Sequence, residues 1–237
     1  MNEADRLAAA RAQLRSQIEE IVGGGPIDRL DEALTHSSFA NETGVRNNQR
    51  LEFLGDSVLG LCVSEMLAEA HEDADEGMLT RMRSALVNAD ALASWARRVD
   101  LGPCIALGRG AILGSEREQT NVLADTAEAL VAAVYEARGL EGARALVRAI
   151  VGELLERAPS LGVRDPKSAL QESVQARGLP PPTYRVAEVR GAPHDQIFVV
   201  DVFVGEAALA RGEGRSKRLA ERAAATAALH AAAGVTA

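Results

Sequence analysis

Four acidic residues stand in two stretches of the sequence that are otherwise apolar. Glu52 and Asp56 are four positions apart in RLEFLGDSVLG, and Asp125 and Glu128 are three positions apart in LADTAEAL. Either spacing places both carboxylates of a pair on one face of a helix. Like charges this close destabilise the folded chain, and more so when they lose contact with water. Two such helices packed together would gather four carboxylates that need a cation to remain ionised.

The chemistry of these donors indicates which cation would fit. Carboxylate oxygens without a His or Cys partner favour a hard ion, so we expect Mg²⁺, with Mn²⁺ as a substitute. Next to a phosphate, such an ion lowers the pKa of a bound water and neutralises charge on the attacked group, which is the chemistry of phosphodiester hydrolysis. The structural alternative is that one or both pairs face solvent or form salt bridges with Arg50, Arg81 or Arg83.

The acid pairs belong to a predicted all-α unit at residues 1–158. Apolar residues recur every three or four positions, and glycine or proline separates the runs. The pattern predicts helices at residues 3–21, 28–36, 47–70, 78–99, 116–137 and 140–157. Apart from its two acids, the run around Glu52 has the composition of a buried helix.

A linker at 159–164 and a small α+β unit at 165–237 are predicted to follow. The segment APSLGVRDP contains two prolines and has no periodicity, as expected of a linker. A helical pattern then begins at Asp165 and ends at Gly178. The runs TYRVAEV, QIFVVDVFV and ALARGEG predict three antiparallel strands, and SKRLAERAAATAALHAAA predicts a helix with Ser216 as its N-cap.

The turn before the last helix has the composition of a phosphate site. The segment GEGRSKR is glycine-rich and delivers Ser216, Lys217 and Arg218 to the first turn of that helix. Free backbone N–H groups and the helix dipole favour an anion there. Basic side chains are unfavourable near the same dipole, so an external phosphate would explain them. The alternative is a solvated basic cap that binds nothing.

Charge is divided unevenly between the two units. The chain carries a net charge of −8, which argues against simple binding to a polyanion. Residues 1–164 contain 17 basic and 26 acidic residues, a net charge of −9, whereas residues 165–237 contain 9 basic and 8 acidic residues, a net charge of +1. The acidic character therefore belongs to the first unit alone.

The rest of the composition predicts an ordinary soluble, cytoplasmic protein. Cys62 and Cys104 stand in apolar surroundings without metal-ligand spacing, which is typical of core thiols in a reducing compartment. The sequence shows no secretory signal and no apolar run long enough to span a bilayer. Trp95, Tyr135 and Tyr184 are too few to form a platform for stacking unpaired bases.

The order of the motifs resembles that of bacterial ribonuclease III. In the first unit the resemblance is carried by LTHSSFANE (34–42), RLEFLGDSVLG (50–60), DEG (75–77), TRMRSALVN (80–88), LGRG (107–110) and LADTAEAL (123–130). The second unit is similar to a double-stranded-RNA-binding domain, through KSALQE (167–172), PTYRV (182–186), the turn at 191–198 and GEGRSKRLAE (212–221). The resemblance covers nearly the whole chain.

The resemblance implies an endoribonuclease that hydrolyses double-stranded RNA with Mg²⁺, in the processing of ribosomal RNA precursors and of structured messenger and transfer RNA transcripts. It implies metal-ligand roles for Glu52, Asp56, Asp125 and Glu128. Among these, Glu52, Asp125 and Glu128 would hold the ion most directly, and Asp56 and Glu128 would matter most for catalysis. It also implies a homodimer in which each acid cluster cuts one strand of the duplex, leaving short 3′ overhangs.

In the second unit the resemblance implies contacts along both grooves of the duplex. Gln171, Glu172 and His194 would lie near the minor groove, and Lys217 and Arg218 on phosphates across the major groove. Such contacts recognise the shape of A-form RNA largely independently of sequence. With so few basic residues, binding should be weak and strongly salt-dependent. His194 also fits an ordinary exposed histidine of a turn.

The sequence departs from the family pattern in three places. Gln49 stands where many members have an acid, and an amide can hydrogen-bond but adds no charge. Glu118 and Gln119 make the segment before the second acid helix less basic than an RNA-facing loop should be. Asp195 and Gln196 stand where a lysine is common. The sequence also leaves open a second class of function: a non-cleaving RNA-binding or ribosome-associated protein with the same fold.

Overall fold

The structure, a computed structural model, describes residues 2–161, 165–192 and 195–233. The chain divides into two compact units, Met1–Val163 and Arg164–Ala237. The first is all-α and the second is a small α+β unit, so the predicted fold class is confirmed. Within the described residues, no helix is both long enough and apolar enough to cross a membrane.

The first unit contains nine α-helices among its described residues. They are α1 (Glu3–Ile21), α2 (Leu30–Ala33), α3 (Ser37–Thr43), α4 (Gln49–Ala70), α5 (Glu76–Leu86), α6 (Ala89–Arg98), α7 (Arg109–Leu113), α8 (Thr120–Leu155) and α9 (Ala158–Leu161). Two short 3₁₀ turns lie at Gly102–Cys104 and Glu116–Glu118.

Helices α4 and α8 form the centre of this unit. They contribute much of one continuous core, in which leucine, valine and alanine predominate. Both cysteines belong to this core as free thiols: Cys62 is fully buried on α4, and Cys104 is almost fully buried. Their predicted role as small core residues is confirmed.

The single helix predicted at 78–99 is wrong, because Asn88 divides it. The Asn88 Nδ2 group donates to the carbonyl oxygens of Ser84 and Ala85 at the end of α5. Its Oδ1 atom accepts the N–H of Ala91 at 2.9 Å and so begins α6. One side chain thus satisfies backbone groups of two helix ends, which periodicity alone does not reveal.

Other predicted boundaries also shift. The helix predicted at 28–36 shortens to α2, because His36 takes an extended conformation and caps α3, a helix that the periodicity did not predict. Helix α7 was not predicted either. The helices predicted at 116–137 and 140–157 are continuous in α8 except at Gly139, whose φ of 65° and ψ of −165° break the helical backbone between them.

The second unit has the predicted α-β-β-β-α order. Its elements are α10 (Pro166–Ala176), β1 (Pro182–Arg190), β2 (Ile197–Val204), β3 (Ala207–Gly214) and α11 (Lys217–Ala233). The strands form an antiparallel sheet in the order β1-β2-β3, with a register shift between Val186 and Glu188. A small core of Leu170, Val174, Val202, Val204, Ala224, Ala225 and Ala228 joins the helices to the sheet.

Close contact between β3 and α11 explains the alanine content of the last helix. A Cβ atom on Gly212 would lie 2.1 Å from the backbone nitrogen of Ala224, and one on Gly214 would lie 2.6 Å from that of Ala220. The glycines of GEGRSKR therefore serve helix–sheet packing. In the predicted linker, α9 extends to Leu161, while residues 162–164 lie outside the described residues.

Candidate metal centre and nucleic-acid interface

Three carboxylates converge between α4 and α8. Glu52 on α4 and Asp125 and Glu128 on α8 each offer one oxygen atom, and these oxygens lie within 4.8 Å of one another. All three residues are partly buried. Three oxygen donors at this separation can share one hard cation, with open positions left for water and a phosphate oxygen. The structure thus brings together three of the four acids that form pairs in the sequence.

The two helices come this close because Gly55 has no side chain. A Cβ atom at this position would lie only 1.9 Å from the carbonyl oxygen of Glu128. Such a contact is far shorter than van der Waals distance, and a backbone atom cannot rotate away from it. Gly55 lies between Glu52 and Asp56 in the sequence, so the closest approach of α4 and α8 falls at the level of the acids.

Burial and mutual repulsion raise the pKa of all three carboxyl groups. At Glu128 desolvation is the largest cause, followed by the charges of Asp56, Asp125 and Glu52, and together they raise its pKa to about 7. Burial and then Asp125 raise the pKa of Glu52. Burial also raises the pKa of Asp125, and the charge of His36 partly offsets that rise. The folded protein therefore holds negative charge that it does not neutralise by itself.

The donor set fits a divalent cation better than it fits a network of salt bridges. The charges that perturb the three carboxyl groups belong to one another, to Asp56 and to His36. Arg83, one of the salt-bridge partners considered from the sequence, instead donates to Ser64 Oγ at 3.1 Å. An oxygen-only cluster with elevated pKa values is an appropriate site for Mg²⁺ or Mn²⁺.

Asp56 lies at the edge of this cluster. Its side chain is exposed and is not one of the three that offer mutually close oxygens. It is near enough for its charge to raise the pKa of Glu128. Asp56 also lines an open pocket beside α4 together with Ser57, Gly60, Leu61, Ser64, Arg83 and Val87. Its role as a ligand stays a prediction.

The segment LTHSS borders the cluster and is fixed by hydrogen bonds to the segment before α7. The N–H of His36 donates to the carbonyl oxygen of Ala106 at 3.1 Å. Ser38 Oγ accepts the N–H of Gly108 at 3.0 Å and lies 2.8 Å from His36 Nδ1. Because the charge of His36 acts on Asp125, this segment belongs to the surroundings of the site. The spacing of the acids gave no sign of it.

Phe53 does not belong to the buried core that its sequence surroundings predict. The residue is 80% exposed, and Leu61, two turns further along α4, is 49% exposed. The run around the first acid pair is therefore buried only in part. The available signal was exposed Asp56, because Phe53 and Asp56 are three positions apart and share a helix face.

The predicted phosphate contacts of the second unit lie at the start of α11. Lys217 and Arg218 are exposed on its first turn. Ser216 precedes them, and its Oγ atom accepts the N–H of Leu219 at 3.3 Å, as expected of the predicted N-cap. This bond satisfies one N–H of the first turn, while both basic side chains remain in solvent. Their contact with phosphate stays a prediction.

The predicted minor-groove residues are described only in part. Gln171 and Glu172 lie exposed on α10, which packs against α11. His194 lies outside the described residues. Nearby, Lys167 pairs with Glu221 at 2.7 Å and lies 4.6 Å from the ring centroid of Tyr184, so its charge helps to join α10, β1 and α11. The motif KSALQE therefore combines a structural lysine with two exposed polar residues.

Comparison with known proteins gives two family matches that together cover most of the chain. Residues 28–154 match the family model described as ribonuclease-III-like, and residues 166–231 match the double-stranded RNA binding motif. The first match includes the acid cluster, and the second includes the glycine-rich turn at the start of α11. Each unit thus has its own family counterpart.

Relatives from several bacteria match over most of their length. The chain is 43% identical to Ribonuclease 3 of Phenylobacterium zucineum, over 91% of this chain and 92% of that protein. It is 46% identical to Ribonuclease 3 of Thermobifida fusca, over 84% and 83% of the two chains.

A solved structure matches the first unit. The nuclease domain of ribonuclease III from Campylobacter jejuni superposes with a TM-score of 0.53 at 33% identity, covering 57% of this chain and 94% of that one, and the description of that structure refers to a region involved in dimer formation. Fold, acid cluster and sequence similarity agree, and the chain belongs to the ribonuclease III family.

Proposed function

We propose that this protein is an endoribonuclease that hydrolyses phosphodiester bonds of double-stranded RNA with Mg²⁺, for which Mn²⁺ can substitute. The observation that carries the proposal is the convergence of Glu52, Asp125 and Glu128 on one small volume, in a chain whose second unit matches the double-stranded RNA binding motif. The acids supply a place for the ion, and the second unit supplies the means to hold the substrate.

The chain's own residues provide the ligand cage and its electrostatics. Glu52, Asp125 and Glu128 would hold the ion, which when bound supplies an activated water and neutralises charge on the phosphate. Asp56, at the exposed edge, is placed to orient water entering from solvent. In the reaction a water oxygen forms a bond to phosphorus, the bond from phosphorus to the leaving ribose oxygen breaks, and that oxygen takes up a proton.

We further propose that the protein acts as a homodimer. Phe53 and Leu61 expose apolar surface on α4, and the pocket lined by Ser57 and Leu61 lies on the same helix. In a two-fold interface each copy presents the same patch, so Phe53 of one copy can enter the pocket of the other. Because Phe53 follows Glu52 directly, this interface would place two acid clusters along one surface, one for each strand of a duplex.

The second unit would hold the duplex by its shape. Its helices present Gln171, Glu172, Lys217 and Arg218, the residues that resemble the groove-contacting positions of double-stranded-RNA-binding domains. The basic residues exceed the acidic ones by only one in 165–237, so binding should be weak and should weaken further with salt. We propose ribosomal RNA precursors and structured transcripts in the cytoplasm as substrates, on the strength of the family relationship.

Cleavage of a long RNA duplex tests the proposal. The purified protein should shorten the duplex in Mg²⁺ or Mn²⁺ and leave it intact in EDTA, while a single-stranded RNA of the same length remains uncut. Cleavage that persists in EDTA would contradict the metal mechanism. Binding without any cleavage in either metal would favour the second candidate, a non-cleaving RNA-binding protein.

A further inference from the structure

A pocket rich in arginine lies at the N-terminal end of α4. It is open, has a volume of about 500 Å³ and is lined by Arg29, Glu32, Val45, Arg46, Asn47 and Arg50. We call it the arginine pocket. Three positive side chains in one pocket are notable because residues 1–164 carry a net charge of −9. Arg50 begins the motif RLEFLGDSVLG, whereas Arg29 and Arg46 belong neither to the acid pairs nor to the family motifs.

Two of the three arginines have no carboxylate partner in the part of the chain that the structure describes. The Arg29 guanidinium is engaged, because it donates to both carboxylate oxygens of Glu136 at 2.7 Å and to Glu32. Arg46 and Arg50 are exposed, and neither has an Asp or Glu oxygen within 4.0 Å among the described residues. Their two positive charges are available to a ligand.

The residues between these arginines add no negative charge. Asn47 Oδ1 accepts the backbone N–H of Gln49 at 3.1 Å, and Asn47 Nδ2 donates to Gln49 Oε1 at 3.3 Å. Both side chains are neutral amides, and one hydrogen bond joins them. The positive end of the α4 dipole adds to the charge of Arg46 and Arg50, so the mouth of the pocket attracts an anion.

We propose that the arginine pocket binds a phosphate group of the RNA backbone, next to the phosphate that is cut at the acid cluster. The proposal rests on the proposed function. Guanidinium groups bind phosphate oxygens in pairs, and an open pocket leaves room for the strand on either side of the phosphate. Arg50 precedes Glu52 by two residues of α4, about 3 Å along the helix axis, so both sites lie near the same end of this helix.

The arginine pocket would offset part of the negative charge that the first unit presents to an RNA duplex. A duplex that reaches the acid cluster meets a surface with an excess of acidic residues, and a cation at the cluster neutralises only the site of cutting. Arg46 and Arg50 offer two positive charges to a phosphate near the same end of α4. They would fix the strand in position, whereas the second unit would bind the duplex through contacts of its own.

Salt-dependent binding of the full-length protein tests this inference. In a Glu128→Gln background, Arg46→Ala/Arg50→Ala should reduce the slope of log affinity against log salt by about 1, since one phosphate contact contributes ~0.9. The matched control, Arg98→Ala/Arg148→Ala, removes the same charge from exposed positions of the same unit. It should leave the slope unchanged. Equal slopes for the two double variants would overturn the proposal.

A second variant tests the arginine pocket without removing Arg46 or Arg50. Gln49→Glu adds one carboxylate beside the arginines at an exposed position that starts α4, and it should lower affinity for the duplex several-fold at low salt. Unchanged affinity in Gln49→Glu would count against the pocket. Circular dichroism of every variant establishes that the fold is retained.

The parent protein separates this inference from the proposed function. If the unaltered protein fails to cut the duplex in Mg²⁺, the proposed function is wrong. If it cuts normally while Arg46→Ala/Arg50→Ala retains both the slope and the cleavage rate, only the arginine pocket is wrong. Reduced cleavage at low RNA concentration that recovers at saturating RNA would support a binding role.

Discussion

At the scale of single residues, Glu128 is the carboxyl group of the candidate site whose pKa is raised most strongly. It is partly buried between two helices and lies near three other carboxylates, and its pKa is raised to about 7. A carboxyl group in such a place gains from a bound cation more than its neighbours do, because the cation relieves both its desolvation and its repulsion.

Replacement of Glu128 by Gln should therefore remove cleavage and preserve binding. The amide keeps the shape of the side chain but loses the charge that holds the ion. We expect cleavage of duplex RNA to fall by more than about 100-fold. Even a residue that only hydrogen-bonds to a metal ligand contributes ~10–100-fold to metal affinity or activity. Glu141→Gln, on the exposed side of α8, is the matched control and should cut normally. An active Glu128→Gln enzyme would remove this residue from the site.

The raised pKa of Glu128 also predicts how stability depends on pH. Between about pH 4.5 and pH 7 the folded state binds more protons than the unfolded state, so the free energy of unfolding falls as pH rises through this window. Without metal, Glu128→Gln should have a higher melting temperature than the unaltered protein at pH 8, and the difference should disappear near pH 5. Mg²⁺ should narrow the difference at pH 8. Thermal denaturation followed by circular dichroism in EDTA or Mg²⁺ checks both expectations.

At the scale of the elements, the acid cluster depends on backbone contact between α4 and α8. Gly55 permits that contact, and Gly139 then breaks α8 beyond the site. The two halves of α8 therefore have different roles. The half before Gly139 carries Asp125 and Glu128. The half after it contributes core residues such as Leu146 and Ile150. Neither glycine contributes a functional group.

Gly55→Ala should damage both stability and the site. Its added methyl group would overlap the Glu128 carbonyl oxygen, so α4 must move away from α8. We expect the free energy of unfolding to fall by about 1–3 kcal/mol, and cleavage to fall with it. Gly152→Ala is the matched control, because a Cβ atom there meets nothing within 4 Å, and it should be neutral or stabilising. Urea denaturation with a cleavage assay measures both effects.

The start of α11 gives a second prediction about an element. Lys217→Ala/Arg218→Ala removes two exposed positive charges and leaves Ser216 to cap the helix. Duplex RNA binding should weaken, with a salt slope lower by about 2. Cleavage at low salt should persist, because the acid cluster is untouched. Lys167→Ala, by contrast, should cost stability, since that lysine pairs with Glu221 inside the unit.

At the scale of the whole molecule, exposed Phe53 points to association between copies. An aromatic side chain that is 80% exposed on the central helix of a unit is costly in water and is a common anchor of interfaces. Its place beside Glu52 would link assembly to the arrangement of the active sites. A dimer would then be needed for cutting both strands.

Phe53→Ala should accordingly weaken the dimer. We expect the dissociation constant to rise by about 10-fold or more, measured by analytical ultracentrifugation, because a central aromatic anchor often dominates an interface. Leu113→Ala, which alters an equally exposed apolar residue on α7, is the control and should leave the dimer intact. A Phe53→Ala protein that associates as tightly as its parent would contradict this arrangement.

The parts of the structure that the sequence predicts are those set by repeating patterns. Periodicity predicts the acid-bearing helices, and alternation predicts the three strands. What it misses depends on single contacts across the fold: Asn88 joins two helix ends, and Gly55 sets an interhelix distance. The arginine pocket was also missed, because Arg29 and Arg46 are 17 positions apart and only the folded chain brings them together.

The direct backbone contact at Gly55 has a consequence for ion size. Where side chains separate two helices, their rotamers can change and the gap can widen; here a glycine Cα faces a carbonyl oxygen and nothing between them can adjust. The backbones that carry Glu52 and the acids of α8 are therefore held at a nearly constant separation. Mg²⁺ requires oxygen ligands at 2.0–2.1 Å and Ca²⁺ at 2.3–2.6 Å. We therefore expect the cage to bind Mg²⁺ more tightly than Ca²⁺, so that a residue without a side chain would influence the site's preference among metals.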